Sequence, residues 1–120
     1  MNEFTKERRQ HRRCTFFSEV RGERLKPFHA GPLKITVSNI CRNGLMLHTD
    51  CGFFLSPGYQ VQLTFLDGVD VLATVVWIRH HGIINSVGHW AFGVAFDNGQ
   101  DAKVNRICEM AEEQWSGSDD

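Results

Sequence analysis

Hydrophobic and polar residues alternate with a period of two along most of the chain. The apolar residues Val61, Leu63 and Phe65, for example, are separated by polar residues. Such alternation is typical of β-strands with one buried face. The pattern predicts strands over residues 14–20, 33–38, 45–48, 60–65, 69–80 and 90–96. Turns or loops are predicted over residues 21–23, 27–32, 43–44, 52–58, 66–68 and 82–88. Some six or seven short strands indicate a small antiparallel barrel or sandwich.

The hydrophobic period changes near the C-terminus. Between residues 101 and 115, apolar positions recur every three or four residues, at Val104, Ile107, Cys108, Ala111 and Trp115. This spacing predicts one amphipathic helix that packs its apolar stripe against the strands. An exposed part of the stripe is also compatible with a homodimer. Residues 116–120 are predicted to be a disordered tail.

The formal net charge of −1 conceals an uneven distribution of charge. Residues 1–26 carry a net +4, residues 27–96 carry zero and residues 97–120 carry −5. Such asymmetry points to an anionic partner for the basic end. The alternative is that the arm and the tail are only solvated, which is compatible with the same distribution of charge. The near-neutral total argues against a bulk electrostatic binder of nucleic acid. We divide the chain into an arginine-rich arm (1–13), one domain (14–115) and the tail (116–120).

The sequence predicts a cytoplasmic protein with no membrane insertion. Charged residues occupy the N-terminus, where a signal peptide needs an apolar run. No apolar stretch reaches the roughly 18–20 residues that span a bilayer. The four cysteines form no CxxC pair, so reduced cysteines are the simplest interpretation.

No motif of a known enzyme class is present, and we expect no catalysis. The GxSxG, HExxH and GxxxxGK[ST] patterns are absent. His80, His81 and His89 are candidate metal ligands, but neighbouring residues on a strand point to opposite faces. We therefore predict no metal site. Trp77, in the middle of an apolar strand, fits a core position better than a ligand platform.

Four arginines, Arg8, Arg9, Arg12 and Arg13, lie directly before the first predicted strand. A guanidinium group is always charged, and its planar fork matches phosphate oxygens and the O6/N7 edge of guanine. The cluster is therefore a candidate site for a nucleotide anion. The alternative is a basic arm with no ligand.

Two short motifs precede and follow the first predicted strands. Residues 9–13 read Arg-Gln-His-Arg-Arg, an RxxxR motif, and residues 39–44 read Asn-Ile-Cys-Arg-Asn-Gly. In this order the motifs resemble those of the PilZ family of bacterial receptors for the second messenger cyclic di-GMP, whose second motif is [D/N]xSxxG. The resemblance continues through the Val-Val-Trp of residues 75–77 and the Phe-Gly-Val-Ala-Phe of residues 92–96. It covers roughly residues 7–115 and implies a mainly all-β fold: an antiparallel barrel of six or seven strands with one C-terminal helix.

The resemblance also implies a set of ligand contacts. By analogy with the family, Arg9 and Arg13 hold phosphate and the Hoogsteen edge of guanine, while Asn39 and Cys41 contact a base from the barrel surface. Gly44 permits a turn that a side chain would strain or block. The arginine arm is expected to fold over the ligand.

Further contacts are implied for Arg8, Arg12, Arg42 and Trp77. In the family, an arginine directly before the motif tends to accompany a stacked ligand dimer, so Arg8 favours two ligand molecules per chain. Arg8 and Arg12 also form an RxxxR motif. We prefer Arg9 and Arg13 because the strand pattern begins directly after Arg13.

Two residues depart from the strongest form of the family's motif. Cys41 stands where the family has serine, and a thiol is a weak donor and acceptor. The loss of one neutral hydrogen bond costs about 0.5–1.5 kcal/mol, which weakens binding without abolishing it. Asn39 takes the place of an aspartate and carries no charge for the guanine N–H groups.

Three functional hypotheses follow from these observations. The leading one is a non-enzymatic cyclic di-GMP receptor that needs no cofactor. It would act on an unidentified effector protein in motility, biofilm or exopolysaccharide control. The second is a PilZ-like interaction module that binds no nucleotide. The third is a small basic-armed nucleic-acid binder, against which the lack of interleaved aromatic residues in the arm counts, so no DNA partner is expected.

Overall fold

The computed structural model describes residues 14–41, 43–50, 52–84 and 87–119. In that part of the chain, six antiparallel strands close into a barrel and one helix follows them. The predicted fold class, a small antiparallel β-barrel with a C-terminal helix, is therefore confirmed. The arginine arm lies outside the described residues, and the division into arm, domain and tail stays a prediction.

The strands follow the chain in order before the helix. They are β1 (Cys14–Lys26), β2 (Ala30–Cys41), β3 (Gly44–Thr49), β4 (Gln60–Thr64), β5 (Asp70–Ile84) and β6 (Val87–Phe96). Around the barrel the order is β1-β2-β3-β6-β5-β4, and β4 pairs with β1 to close it. A 3-10 turn at Gly52–Phe54 precedes β4, and helix α1 spans Asp101–Asp119. Within the described residues, no helix has the length and apolar character needed to cross a bilayer.

The core forms from the inward faces of the strands, because alternate residues of a strand point the same way. On β5 these residues are Val71, Ala73 and Val75, all buried. Helix α1 contributes Ile107 and Ala111, which are also buried in the core. The helix packs mainly against β1. The predicted apolar stripe therefore packs against the barrel.

Strand β1 continues through the turn that was predicted at residues 21–23, so that prediction is wrong. A Cβ atom at Gly22 would clash with the side chain of Ile35 on β2. The glycine thus leaves room for the side chain of Ile35 instead of ending the strand. A register shift lies next to it, between Gly22 and Arg24.

The predicted loop at residues 82–88 is much shorter in the structure. Strand β5 runs to Ile84 and β6 starts at Val87. Gly82 has a φ of 99° and lies in a register shift between His80 and Ile83, so its conformational freedom is used inside the strand. The Asp-Gly turn at residues 66–68, by contrast, is confirmed. The N–H of Gly68 donates to the Phe65 carbonyl at 2.9 Å.

The connection between β6 and α1 is fixed by the side chain of Gln100. Its Oε1 accepts the N–H of Leu72 at 2.6 Å, and its Nε2 donates to the Leu72 carbonyl at 2.7 Å. The same Nε2 donates to the Asp97 carbonyl at 2.9 Å. The amide of Gln100 therefore pairs with Leu72 on β5 as a neighbouring strand would.

Candidate functional site

A shallow groove of about 210 Å³ crosses the outer face of four neighbouring strands, β2, β3, β6 and β5. Three residues singled out in the sequence line it: Asn39, Gly44 and Trp77. Met46 and Gly93 lie between them. The structure thus brings together candidates that lie up to 38 positions apart in the sequence.

The strand register arranges four of these residues in one row. Asn39 on β2 pairs with Met46 on β3, Met46 pairs with Gly93 on β6, and Gly93 pairs with Trp77 on β5. We call these four residues the groove row. Paired residues on antiparallel strands lie about 4.5–5.5 Å apart. The row therefore forms a continuous strip of surface across the face.

Register shifts on the two outer strands of this face set the row. One lies between Val37 and Asn39 on β2, and the other between Val75 and Trp77 on β5. Alternate residues of β5 up to Val75 point into the core. Without the second shift, the side chain of Trp77 would point into the core as well. The inserted residue, Val76, is 56% exposed, and Trp77 faces the groove. The interpretation of Trp77 as a core residue is therefore wrong.

Two glycines let other groups come close to the groove. A Cβ atom at Gly93 would clash with the indole of Trp77, so this ring lies against the bare backbone of β6. A Cβ atom at Gly44 would clash with the carbonyl of Val94. Gly44 is thus required, as the sequence indicated, and the group that would block a side chain is the backbone of β6.

The polar groups of the groove are only weakly engaged within the protein. The Asn39 Nδ2 donates to the thioether sulfur of Met46 at 3.5 Å, and sulfur is a weak acceptor. Arg79 lies near the groove with its guanidinium carbon 5.6 Å from the centre of the Trp77 ring. Among the described residues, no carboxylate pairs with Arg79. Both side chains therefore have hydrogen-bonding capacity for a ligand.

Arg79 was missed in the sequence analysis. Its signal was available, because it follows Trp77 by two positions and residues two apart on a strand share a face. Because the apolar residues around Trp77 favour a core position, the face that Trp77 shares with Arg79 reads as a buried one.

The arginines of the predicted site, Arg8, Arg9, Arg12, Arg13 and Arg42, lie outside the described residues. The structure describes where the arm joins the barrel. Cys14 pairs with Ile40, and Thr15 pairs with Asn39. The chain that follows Arg13 thus enters β1 beside the first residue of the groove row. Cys41 pairs through its backbone with Gly44, and its side chain is among those left undescribed.

Three histidines, His48 on β3, His89 on β6 and His81 on β5, lie near one another; we call them the histidine cluster. The ring centres of His48 and His89 are 5.8 Å apart, and those of His81 and His89 are 6.5 Å apart. Burial lowers the pKa of His48, and the charges of His89 and His81 lower it further. Among the described residues, no group of three or more His, Cys, Asp or Glu side chains is arranged to hold a metal ion.

Comparison with known proteins identifies the family. The family model of the PilZ domain matches residues 7–112, nearly the whole chain. No curated protein matches the sequence. The matched region includes both motifs, all six strands and most of helix α1. The chain belongs to the PilZ family.

Proposed function

We propose that this protein is a non-enzymatic receptor for cyclic di-GMP that binds the nucleotide on the outer face of the barrel. The observation that carries the proposal is the groove row, which sets an aromatic ring and a weakly engaged amide on one strip of surface. The arginine arm joins the barrel beside that row, at the pair Thr15–Asn39. Membership of a family of cyclic di-GMP receptors supports the same ligand.

Each part of the groove row suits one part of the ligand. The indole of Trp77 offers a flat surface on which a guanine can stack. The amide of Asn39 can bond to the edge of a base, since it has both a donor and an acceptor. Gly93 has no side chain, so the indole can lie directly on the backbone of β6 and present its other face to the base. In this proposal Arg9 and Arg13 close over the ligand from outside and neutralise its phosphates.

The dimensions of the groove explain why an arm is needed. Pockets that enclose a drug-sized ligand measure about 300–1,000 Å³. The groove measures about 210 Å³, so it accommodates only part of a cyclic dinucleotide. The remainder then lies across the barrel face and must be covered from outside. The arm supplies this cover, and the entropy lost when it orders reduces the net affinity.

Arm closure also provides a signal that a partner can read. We propose that the closed arm changes the surface presented to an effector protein in the bacterial cytoplasm, with motility, biofilm formation or exopolysaccharide export as the controlled process. Arg8 before the motif favours a stacked pair of ligand molecules. A homodimer remains compatible with this arrangement.

Isothermal titration of the full chain with cyclic di-GMP tests the proposal. We expect binding by the natural sequence, with about two ligands per chain if the stacked pair forms. Arg9→Ala and Arg13→Ala should each weaken binding at least tenfold, because each removes a charge-assisted contact worth about 1.5–3 kcal/mol. Arg21→Ala is the matched control, since Arg21 also lies near the N-terminal side of the chain but outside the groove.

The result also separates the other two functions. No binding by the natural chain would contradict the receptor proposal and favour an interaction module, which the departures at Cys41 and Asn39 make the second candidate. Affinity for DNA or RNA with a steep salt dependence would favour a nucleic-acid binder instead. Equal losses in Arg21→Ala and Arg9→Ala would indicate a non-specific effect of charge.

A further inference from the structure

A second row of residues lies beside the groove row on the same outer face. His48 on β3 pairs with Ala91 on β6, and Ala91 pairs with Arg79 on β5. On each of these strands, the second row is displaced by two residues from the groove row, which amounts to about 7 Å. The small side chain of Ala91 is fully buried between its neighbours. The two rows therefore form one continuous surface.

The second row and the histidine cluster form a surface that can become strongly cationic. The charges that act on His48 are those of His89 and His81. The other charged and titratable groups on the strands around the cluster are Lys34 on β2, Asp70, Arg79 and His80 on β5, and Asp50, which follows β3. Strand β2 contributes the hydroxyl of Ser38, whose Oγ lies 3.0 Å from the Nε2 of His48. Protonation of the cluster thus places several cations together.

One ring nitrogen of His48 also has no partner. Its Nδ1 is buried and makes no hydrogen bond, while its Nε2 bonds to Ser38. A buried polar atom without a partner is costly and calls for an explanation. A proton on this nitrogen would be a buried donor without an acceptor, so protonation of His48 is unfavourable in the free protein. Ser38 directly precedes Asn39 on β2. The hydrogen bond between His48 and Ser38 therefore connects the histidine cluster to the strand that carries the Asn39 amide of the groove.

We propose that His48, His81 and His89, together with Arg79, form an anion-binding subsite that holds a phosphate of the ligand outside the groove and takes up a proton when it does so. This inference rests on the proposed function, because the anion is part of cyclic di-GMP. Neighbouring cations oppose protonation in the free protein, and a bound phosphate offsets that repulsion. Ligand binding and protonation therefore favour each other, as linkage requires.

Titration with cyclic di-GMP at about pH 6 and about pH 8, in buffers with different ionisation enthalpies, measures this coupling. Neither the phosphodiesters nor the guanine bases change charge in this range. We expect binding to be roughly tenfold tighter at the lower pH, with measurable proton uptake, since one pKa unit corresponds to a factor of ten. Imidazole NMR should show a raised pKa for at least one histidine of the cluster after ligand addition.

A variant tests whether the cluster takes up the proton. The double variant His81→Gln/His89→Gln should lose most of the pH dependence and bind at the higher pH much as the natural chain does. It leaves His48 and its bond to Ser38 in place. The control is His29→Gln, outside the groove and the cluster, which should keep the full pH dependence of ligand binding.

The outcomes distinguish this inference from the proposed function. Binding that is equally tight at both pH values, with no proton uptake, overturns the subsite and leaves the receptor function intact. A pH dependence that persists unchanged in the double variant also overturns it. If cyclic di-GMP binds at neither pH, the receptor function fails and the subsite fails with it.

Discussion

The indole of Trp77 lies against the backbone of Gly93 on the outside of the barrel, where a base can reach its other face. We expect Trp77→Ala to weaken cyclic di-GMP binding by about 5- to 150-fold, because base–aromatic stacking contributes about 1–3 kcal/mol. Titration calorimetry measures this loss. Trp77→Phe is the matched control: it keeps an aromatic face and should recover most of the affinity. If Phe and Ala give the same loss, stacking is not the contribution of this residue.

Arg24 is a buried arginine without a carboxylate partner among the described residues. Its Nε donates to the Phe28 carbonyl at 2.8 Å and its guanidinium nitrogen to the Phe54 carbonyl at 2.6 Å. Its guanidinium also lies 4.2 Å from the centre of the Phe28 ring. The side chain therefore connects the β1–β2 turn to the 3-10 turn. Although it contributes to the basic charge of residues 1–26, it is not available to a ligand.

Replacing Arg24 should therefore reduce stability. We expect Arg24→Ala to lower the free energy of unfolding by about 2–4 kcal/mol, because two charge-assisted hydrogen bonds and the packing of its stem are lost. Urea denaturation measures this. Arg106→Ala is the matched control, since Arg106 makes exposed ion pairs of 3.4 and 3.5 Å and should cost about 0–1 kcal/mol. A similar loss in both variants would contradict the role assigned to Arg24.

Among the connections between elements, the link from β6 to α1 depends on a side chain that acts as a strand partner. We expect Gln100→Ala to cost about 1–3 kcal/mol in the free energy of unfolding, because both backbone groups of Leu72 lose their bonds to the side-chain amide. Hydrogen exchange at the Leu72 N–H should accelerate as well. Chemical denaturation and exchange measured by NMR check the two effects.

The control for Gln100 connects the same two elements. Lys103 on α1 pairs with Asp70 on β5 at 3.0 Å, and both side chains are exposed. Lys103→Ala should leave the exchange of Leu72 unchanged and cost at most about 1 kcal/mol. Unchanged exchange in Gln100→Ala would show that the side-chain amide does not protect the Leu72 N–H.

The strand and helix elements were largely predictable from the sequence, because hydrophobic period is a local property. The alternation of β4, the Asp-Gly turn and the stripe of α1 all follow from residues close together in the chain. Register shifts were not predictable in this way. The shift before Trp77 depends on how β5 pairs with β6, which no local pattern encodes.

The role of a glycine was likewise not predictable from its neighbours in the sequence. Gly22 reads as a turn from its neighbours, whereas its role is to make room for Ile35 on another strand. The candidate site was predictable where motifs exist, at Asn39 and Gly44. It was not predictable at Met46 and Gly93, whose place in the groove row depends on strand register.

For the whole molecule, the pKa directions predict how stability depends on pH. The pKa of His48 is below its ordinary value of 6.5, so the unfolded chain takes up the proton first as the pH falls. The free energy of unfolding should therefore be constant above about pH 6.5 and decrease as the pH falls below that value. His48→Gln should reduce the decrease. Denaturant titrations across this range measure the slope.

A second decrease in the free energy of unfolding is expected at lower pH. The hydrogen bond from His29 lowers the pKa of Glu23 below 4.5, and that from Lys103 lowers the pKa of Asp70 below 3.8. Carboxylates with lowered pKa values stabilise the fold above their ordinary pKa and lose this contribution under acid. Because both groups are exposed, their contribution is small. A stability that falls only below about pH 4.5 would contradict the effect assigned to His48.

The groove row and the core lie on opposite faces of the same sheet. On β6, Phe92 and Val94 point into the core while Gly93 lies in the groove between them. The side chains that recognise a ligand are thus distinct from those that hold the barrel together. Ligand preference in this architecture can change, or be lost, at little cost in folding through substitutions of outer-face residues other than the closely packed Gly44 and Gly93. Selection can therefore act on recognition and on stability almost independently.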